Sequence, residues 1–223
     1  SQLASTVYAY KKSIHGPSFI LQLLDDKIYP KLQIFEDDDA IMFSLINNEK
    51  ISINGKEYYG LRTILNKLNL HEFGTEAINP IHGDLTLENI LYNEKTQDFK
   101  LIDMDGSRYM DTCYFDLGKI FQSIVAKYKE WNSLGDVVYN QTESHIQCLE
   151  KYFMCNALDY QEICEQFGLI MNNPDWKKVY RKGIFYMAMY FIRFIPFRKK
   201  VSNDHGIYAM IMAVNWLNYL YEH

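Results

Sequence analysis

Ile81-His82-Gly83-Asp84-Leu85-Thr86-Leu87-Glu88-Asn89-Ile90-Leu91, answered by Leu101-Ile102-Asp103-Met104-Asp105-Gly106, is the stretch on which the reading of this chain turns. Ile90-Leu91-Tyr92 and Phe99-Lys100-Leu101-Ile102 are short apolar runs on either side of a polar turn, Asn93 to Asp98. The pattern predicts a loop, a strand, a turn and a returning strand. The return carries Asp103 back to the loop that bears Asp84 and Asn89. Two carboxylates and an amide oxygen then converge from a short piece of chain, and these are the hard oxygen donors that Mg²⁺ takes beside phosphates. A lone His-x-Asp in a loop is an ordinary turn or cap, and Asn89 alone would mean nothing. The order of the residues, the hairpin between the halves and the flanking apolar positions together give the pattern its meaning.

Composition bounds the rest. The 223 residues are enough for one substantial core or two small ones. The chain is 48% hydrophobic and 23% charged, ordinary for a globular protein, and its formal net charge of −5 lacks the basic balance of a nucleic-acid binder. Cys113, Cys148, Cys155 and Cys164 show neither C-x-x-C pairing nor metal-ligand spacing, which suggests buried thiols in a reducing, cytoplasmic compartment. No signal peptide opens the chain. It begins at Ser1 rather than Met and is read as a piece of a longer protein. The apolar run Ile184 to Ile192 meets Arg193 and Pro196 too soon to cross a bilayer. A core helix fits it better than a helix lying on a membrane, because its polar face is poor in Lys and Arg.

Along the chain, residues 1 to 16 show no clear period. Phe19, Ile20, Leu23, Leu24 and Ile28 recur at helical spacing, and Pro30 begins or kinks a second short helix with Leu32, Ile34 and Phe35. Asp37-Asp38-Asp39 reads as a solvated turn rather than a metal site, because adjacent carboxylates repel. Ile51 to Tyr58 alternates around Asn54-Gly55, the signature of a type I′ hairpin. Leu61, Ile64, Leu65 and Leu68 predict a helix ending at Gly74, and Pro80 stops helical structure before the loop. Beyond Gly106, helices are expected at roughly 115–129, 142–160, 175–195 and 205–221. Their apolar stripes include Leu117, Ile120 and Phe121; Ile146, Leu149 and Phe153; Ile184, Met187 and Phe191; and Met210, Val214 and Leu217. The expected class is α+β, mainly helical with small β-hairpins, in one domain. Residues 1–80 carry helices and a hairpin, and residues 81–223 carry the loop, the second hairpin and a helical region.

His-Gly-Asp with an Ile-Asp-x-Asp ending resembles the aminoglycoside phosphotransferase and choline kinase family, the small-molecule branch of the protein-kinase-like fold. The likeness is specific from Ile81 to about Ile124, where Asp116-Leu117-Gly118-Lys119 is similar to the family's Asp-Leu-Ala helix start. Elsewhere it rests on the helical pattern. The resemblance implies the large C-terminal lobe, with residues 1–80 lying between hinge and catalytic loop, and ATP and Mg²⁺ as co-substrate and metal. It implies that Asp84 receives or orients the proton of an acceptor hydroxyl. Asn89 and Asp103 would hold Mg²⁺ against the phosphates. Asp105 either reaches a second metal or fixes the turn through backbone hydrogen bonds. His82 is expected to anchor the loop, and Asp116 to cap its helix or tie it to the loop.

A kinase of this kind also needs a glycine-rich loop over the phosphates and a strand Lys paired with a helix Glu. Neither occurs before Ile81. The expectation is therefore a phosphotransferase lobe whose ATP-clamping N-lobe lies upstream in a longer protein. The alternative from a different class is a non-catalytic binding or scaffold module; a complete minimal enzyme ranks last. The intact Asp84, Asn89 and Asp103 weigh against the scaffold. Partners are a nucleotide and a small hydroxyl acceptor such as a sugar, amino alcohol or aminoglycoside, with no nucleic acid and no membrane span. Cationic acceptors would want acidic or aromatic walls, and Glu143, Asp159, Glu162, Tyr186, Tyr190 and Trp216 are available. The local pattern His-Gly-Asp-Leu-Thr with Asn-Ile-Leu-Tyr looks like bacterial phosphotransferase domains linked to surface-polysaccharide or sugar-nucleotide metabolism.

Overall fold

A computed structural model describes residues 12–13, 16–37, 39–75, 77–104, 110–128, 140–142, 145–148 and 175–223. The fold is mixed α+β and mostly helical. Strand β1 (Lys12–Ser13) precedes α1 (Gly16–Leu23), and a π-helical turn at Leu24–Ile28 leads into α2 (Tyr29–Glu36). Pro30 sits in the first turn of α2, where its missing N–H has no intrahelical partner to lose. Leu32 and Phe35 of α2 are buried, whereas Ile34 points outward, 64% exposed.

The acidic run does more than turn the chain. The Asp39 carboxylate caps α3 (Ala40–Asn47), accepting from the N–H groups of Ile41 at 2.7 Å and Met42 at 3.3 Å. This helix was not anticipated, since Ala40 to Ile46 is almost uniformly apolar and shows no period. The predicted hairpin forms as β2 (Lys50–Ile53) and β3 (Lys56–Tyr59). Asn54 and Gly55 both take positive φ, 52° and 78°, as a type I′ turn requires. The helix expected to end at Gly74 stops sooner. α4 spans Leu61–Lys67 and is followed by a 3₁₀ turn at Leu70–Phe73. Gly74 has φ −61°, so it is not the left-handed cap that its type suggests.

Strand β4 (Ala77–Pro80) leads into the loop, β5 (Ile90–Asn93) and β6 (Asp98–Leu101) follow it, and β7 (Met110–Asp111) returns to β4. Helix α5 (Cys113–Ile124) matches the first of the later helices expected. The second expectation fails at its start. Residues 140–142 and 145–147 form β8 (Asn140–Thr142) and β9 (His145–Gln147), and β9 pairs in parallel with β2 to give the sheet order β3-β2-β9-β8. Ile146 is buried there as a strand residue; Leu149 and Phe153 lie outside the described residues. Of the cysteines, Cys148 is buried and Cys113 half-buried, both as thiols, while Cys155 and Cys164 lie outside the described residues.

α6 (Trp176–Lys199) and α7 (Asn203–Glu222), joined by a short turn, make the most extensive helix contact of the fold. Pro196 lies within α6, where it removes only the donor for the Ile192 carbonyl in the last turns. Both helices are buried over most of their surface, so their apolar residues go nearly all round rather than along one stripe. α5 packs on α6 at close range. A Cβ on Gly118 would lie 2.8 Å from the Met187 nitrogen, and one on Gly183 would lie 2.5 Å from the Phe121 ring. On its far side, α7 holds the edge of β3. The buried Asn218 amide accepts from the Tyr59 N–H at 2.8 Å and donates to the Tyr59 carbonyl at 2.9 Å. Among the described residues no helix is long and apolar enough to cross a membrane.

Candidate active site

The loop from Ile81 to Asn89 is fixed from the α5–α6 side. Ile81 and Leu85 are buried, and Gly83 adopts φ 86°, a conformation that a side chain would strain. That turn points two successive N–H groups at one carboxylate. Asp116 Oδ2 accepts from the His82 N–H at 2.8 Å, and Oδ1 accepts from the Gly83 N–H at 2.9 Å. Asp116 is fully buried in the first turn of α5. Thr112, not Asp116, caps that helix, so Asp116 takes the loop-tying role of the two that the sequence allowed. The Tyr190 hydroxyl of α6 donates to the Gly83 carbonyl at 3.0 Å.

The second half of the constellation is clamped to the same loop through one residue. The Ile102 N–H donates to the Asn89 carbonyl at 3.0 Å, and the His82 ring Nε2 lies 2.9 Å from the Ile102 carbonyl. Both ends of the loop therefore grip Ile102, and Asp103 is the next residue, turned outward by a positive φ of 52°. His82 is almost fully buried, with its ring serving as a backbone anchor. Asp105 lies outside the described residues.

Asp84 is presented at the surface, its side chain 52% exposed. The Asn89 amide nitrogen holds it in place, donating to the Asp84 carbonyl at 2.8 Å and approaching the carboxylate at 3.4 Å. With its nitrogen so used, the Asn89 amide oxygen takes no hydrogen bond among the described residues, and neither does the exposed Asp103 carboxylate. Among the described residues no group of three or more His, Cys, Asp or Glu could hold a metal ion. The donors that fit Mg²⁺ are thus the Asn89 amide oxygen and the Asp103 carboxylate, both hard oxygens with open lone pairs.

Lys119 was not recognised in the sequence. Its ammonium lies 3.0 Å from Asp84 Oδ1, although its side chain is only 10% exposed. Burial pushes its pKa down from the ordinary lysine value, against the pull of the Asp84 carboxylate, with Arg193 and Arg198 adding to the downward shift. The signal was present in the spacing. Asp116 and Lys119 are three apart on one helix, so a helix face that reaches the loop through Asp116 brings Lys119 with it.

Beside Asp84 opens a cleft of about 390 Å³. Its walls are Gly83 and Asp84 from the loop, Lys31 from α2, Lys119 from α5, and Tyr190, Arg193, Phe194 and Phe197 from α6. Of the side chains that the sequence offered as acceptor walls, Tyr190 is in place. Tyr186 and Trp216 are core residues, and Glu143, Asp159 and Glu162 lie outside the described residues. A second cleft of about 260 Å³ lies between α1 and β4, by the Lys27–Asp111 ion pair at 2.9 Å, and includes none of the constellation.

No protein-family model, no curated protein and no solved structure matches this chain.

Proposed function

We propose that this chain is the large lobe of a small-molecule phosphotransferase of protein-kinase-like fold, moving the γ-phosphate of ATP to an acceptor hydroxyl. The observation that carries the reading is the loop itself. One buried carboxylate, Asp116, pins two consecutive N–H groups, and the pinned turn delivers Asp84 to the mouth of a cleft. Effort of this kind at an exposed carboxylate is what positioned catalysis requires.

In this reading Asp84 accepts or orients the proton of a hydroxyl lying in the cleft, which readies the oxygen for attack on phosphorus. Asn89 holds Asp84 through its nitrogen and keeps its oxygen for a cation, and Asp103 supplies the second donor. Bound Mg²⁺ would neutralise phosphate charge there. Lys119 places an ammonium 3.0 Å from the carboxylate, where it holds Asp84 in orientation and adds positive charge near the transferred group. The hairpin beside the metal donors has an uncovered apolar face, with Tyr92 61% and Phe99 37% exposed. That face suits a nucleotide base and the ATP-clamping lobe that we place upstream in a longer protein.

The test is phosphate transfer from ATP to a panel of hydroxyl compounds by the full-length protein and its Asp84→Asn variant. The proposal expects kcat to fall by orders of magnitude in a variant that a thermal melt shows to be folded. Near-normal turnover in the variant would overturn it.

A further inference from the structure

The cleft beside Asp84 has a charge pattern of its own. Among the described residues that line it, Lys31, Lys119 and Arg193 are cationic and Asp84 is the one carboxylate. Lys119 is committed to Asp84. Lys31 donates a 3.4 Å hydrogen bond to the Arg193 backbone carbonyl, and neither it nor Arg193 has a carboxylate partner among the described residues. The Arg193 guanidinium lies 5.0 Å from the Phe115 ring centre and 5.1 Å from that of Tyr190, so aromatic faces hold it in place. Burial first, then the charges of Arg193 and Lys27, push the Lys31 pKa down. Two like charges thus share a half-buried site with no carboxylate partner among the described residues, an arrangement that costs stability unless an anion offsets it.

Resting on the phosphotransferase reading, we propose that this cleft binds the acceptor, and that the acceptor carries an anionic group, carboxylate or phosphate, held by Arg193 and Lys31. A guanidinium fork matches either anion in a bidentate way, and a lysine adds charge without demanding a fixed geometry. Phe194 and the exposed Phe197 give the cleft an apolar side for the carbon skeleton. The acceptor class is then a sugar acid or sugar phosphate, with its hydroxyl at Asp84 and its charge at Arg193. Choline-like and aminoglycoside-like acceptors would face the same two cations and be repelled. We assign the anion to the acceptor rather than to the nucleotide because Arg193 and Lys31 share the cleft wall with Asp84, whereas Asn89 and Asp103 are not among its walls.

The test is binding, read by amide NMR shifts on the 223-residue chain, with glucuronate, glucose 6-phosphate, glucose, glucosamine and choline as probes. Glucuronate or glucose 6-phosphate should bind at least tenfold tighter than glucose or either cation, shifting signals at Arg193 and Lys31. Comparing these two anions tells a carboxylate site from a phosphate site. Arg193→Gln should erase at least tenfold of the preference, and Arg193→Lys should retain part of it, with thermal melts reporting that each variant is folded. Tighter binding of glucosamine or choline, anion binding unchanged in both Arg193→Gln and Lys31→Gln, or no binding of any probe overturns the proposal. Displacement of the anion by ADP without Mg²⁺ also overturns it, because the site would then be the nucleotide's. Turnover of Asp84→Asn in the full-length protein tests the phosphotransferase reading separately, so the two failures are distinguishable.

Discussion

The α6–α7 pair and the β5–β6 hairpin are both rich in apolar residues, and the fold treats them in opposite ways. Tyr186, Met187, Phe191, Val214 and Leu217 are fully buried. In the hairpin, Tyr92 faces Phe99 across the strands and Ile90 faces Leu101, which puts four apolar side chains on one face. Yet Tyr92 is 61% and Phe99 37% exposed. Burying side chains of this size is worth about 2 kcal/mol each, and the hairpin leaves much of that gain unused. Stability is therefore supplied by the helical core, which α5, α6 and α7 share with α1 to α4, and the outer end of the hairpin's apolar face, at Tyr92 and Phe99, lies open. The loop between the two regions is held on the helical side and open on the other.

That division can be broken most severely at Asp116. Asp116→Ala would leave the buried His82 N–H and the half-buried Gly83 N–H without their acceptor, and we expect a loss of about 3 kcal/mol in denaturant unfolding, together with loss of any activity. A smaller but measurable loss is expected from Gly118→Ala. The added methyl meets the α6 backbone rather than a side chain that can swing away, and overpacking of this kind costs about 2 kcal/mol. The same test at the hairpin should give almost nothing. Tyr92→Ser should change stability by less than about 0.5 kcal/mol while weakening nucleotide binding by the full-length protein. A large loss of stability in Tyr92→Ser would mean that the hairpin serves the core, and the contrast would fail.

How much of this was legible in the sequence follows from how local each feature is. The Asn54-Gly55 turn and the paired strands at Ile90 and Phe99 are specified by neighbours, and both form. Helices α5, α6 and α7 begin within two residues of the expected positions, because long apolar segments with caps such as Ser202 leave little choice. The β2–β9 pairing was not legible, since a parallel partner nearly a hundred positions away leaves no local trace in strands of three or four residues. Helix α3 was missed because its apolar residues have no period and its one signal, the Asp39 cap, was absorbed into an acidic run. The site divides the same way. Asp84, Asn89 and Asp103 could be named as candidates because they share one loop and its returning strand. Lys31, Lys119 and Arg193 come from three separate helices, and only the fold brings them to one cleft.

The central claim is that the open side of the loop, at Asn89 and Asp103, receives a nucleotide with Mg²⁺. The most direct measurement is an amide NMR titration of the 223-residue chain with ADP, with and without Mg²⁺, repeated for Asp103→Ala. The account predicts Mg²⁺-dependent shifts concentrated at Asn89, Ile102, Asp103, Tyr92 and Phe99, abolished by the substitution. Shifts confined to the second cleft around Phe19 and Lys27, or no Mg²⁺-dependent shift at all, would contradict it.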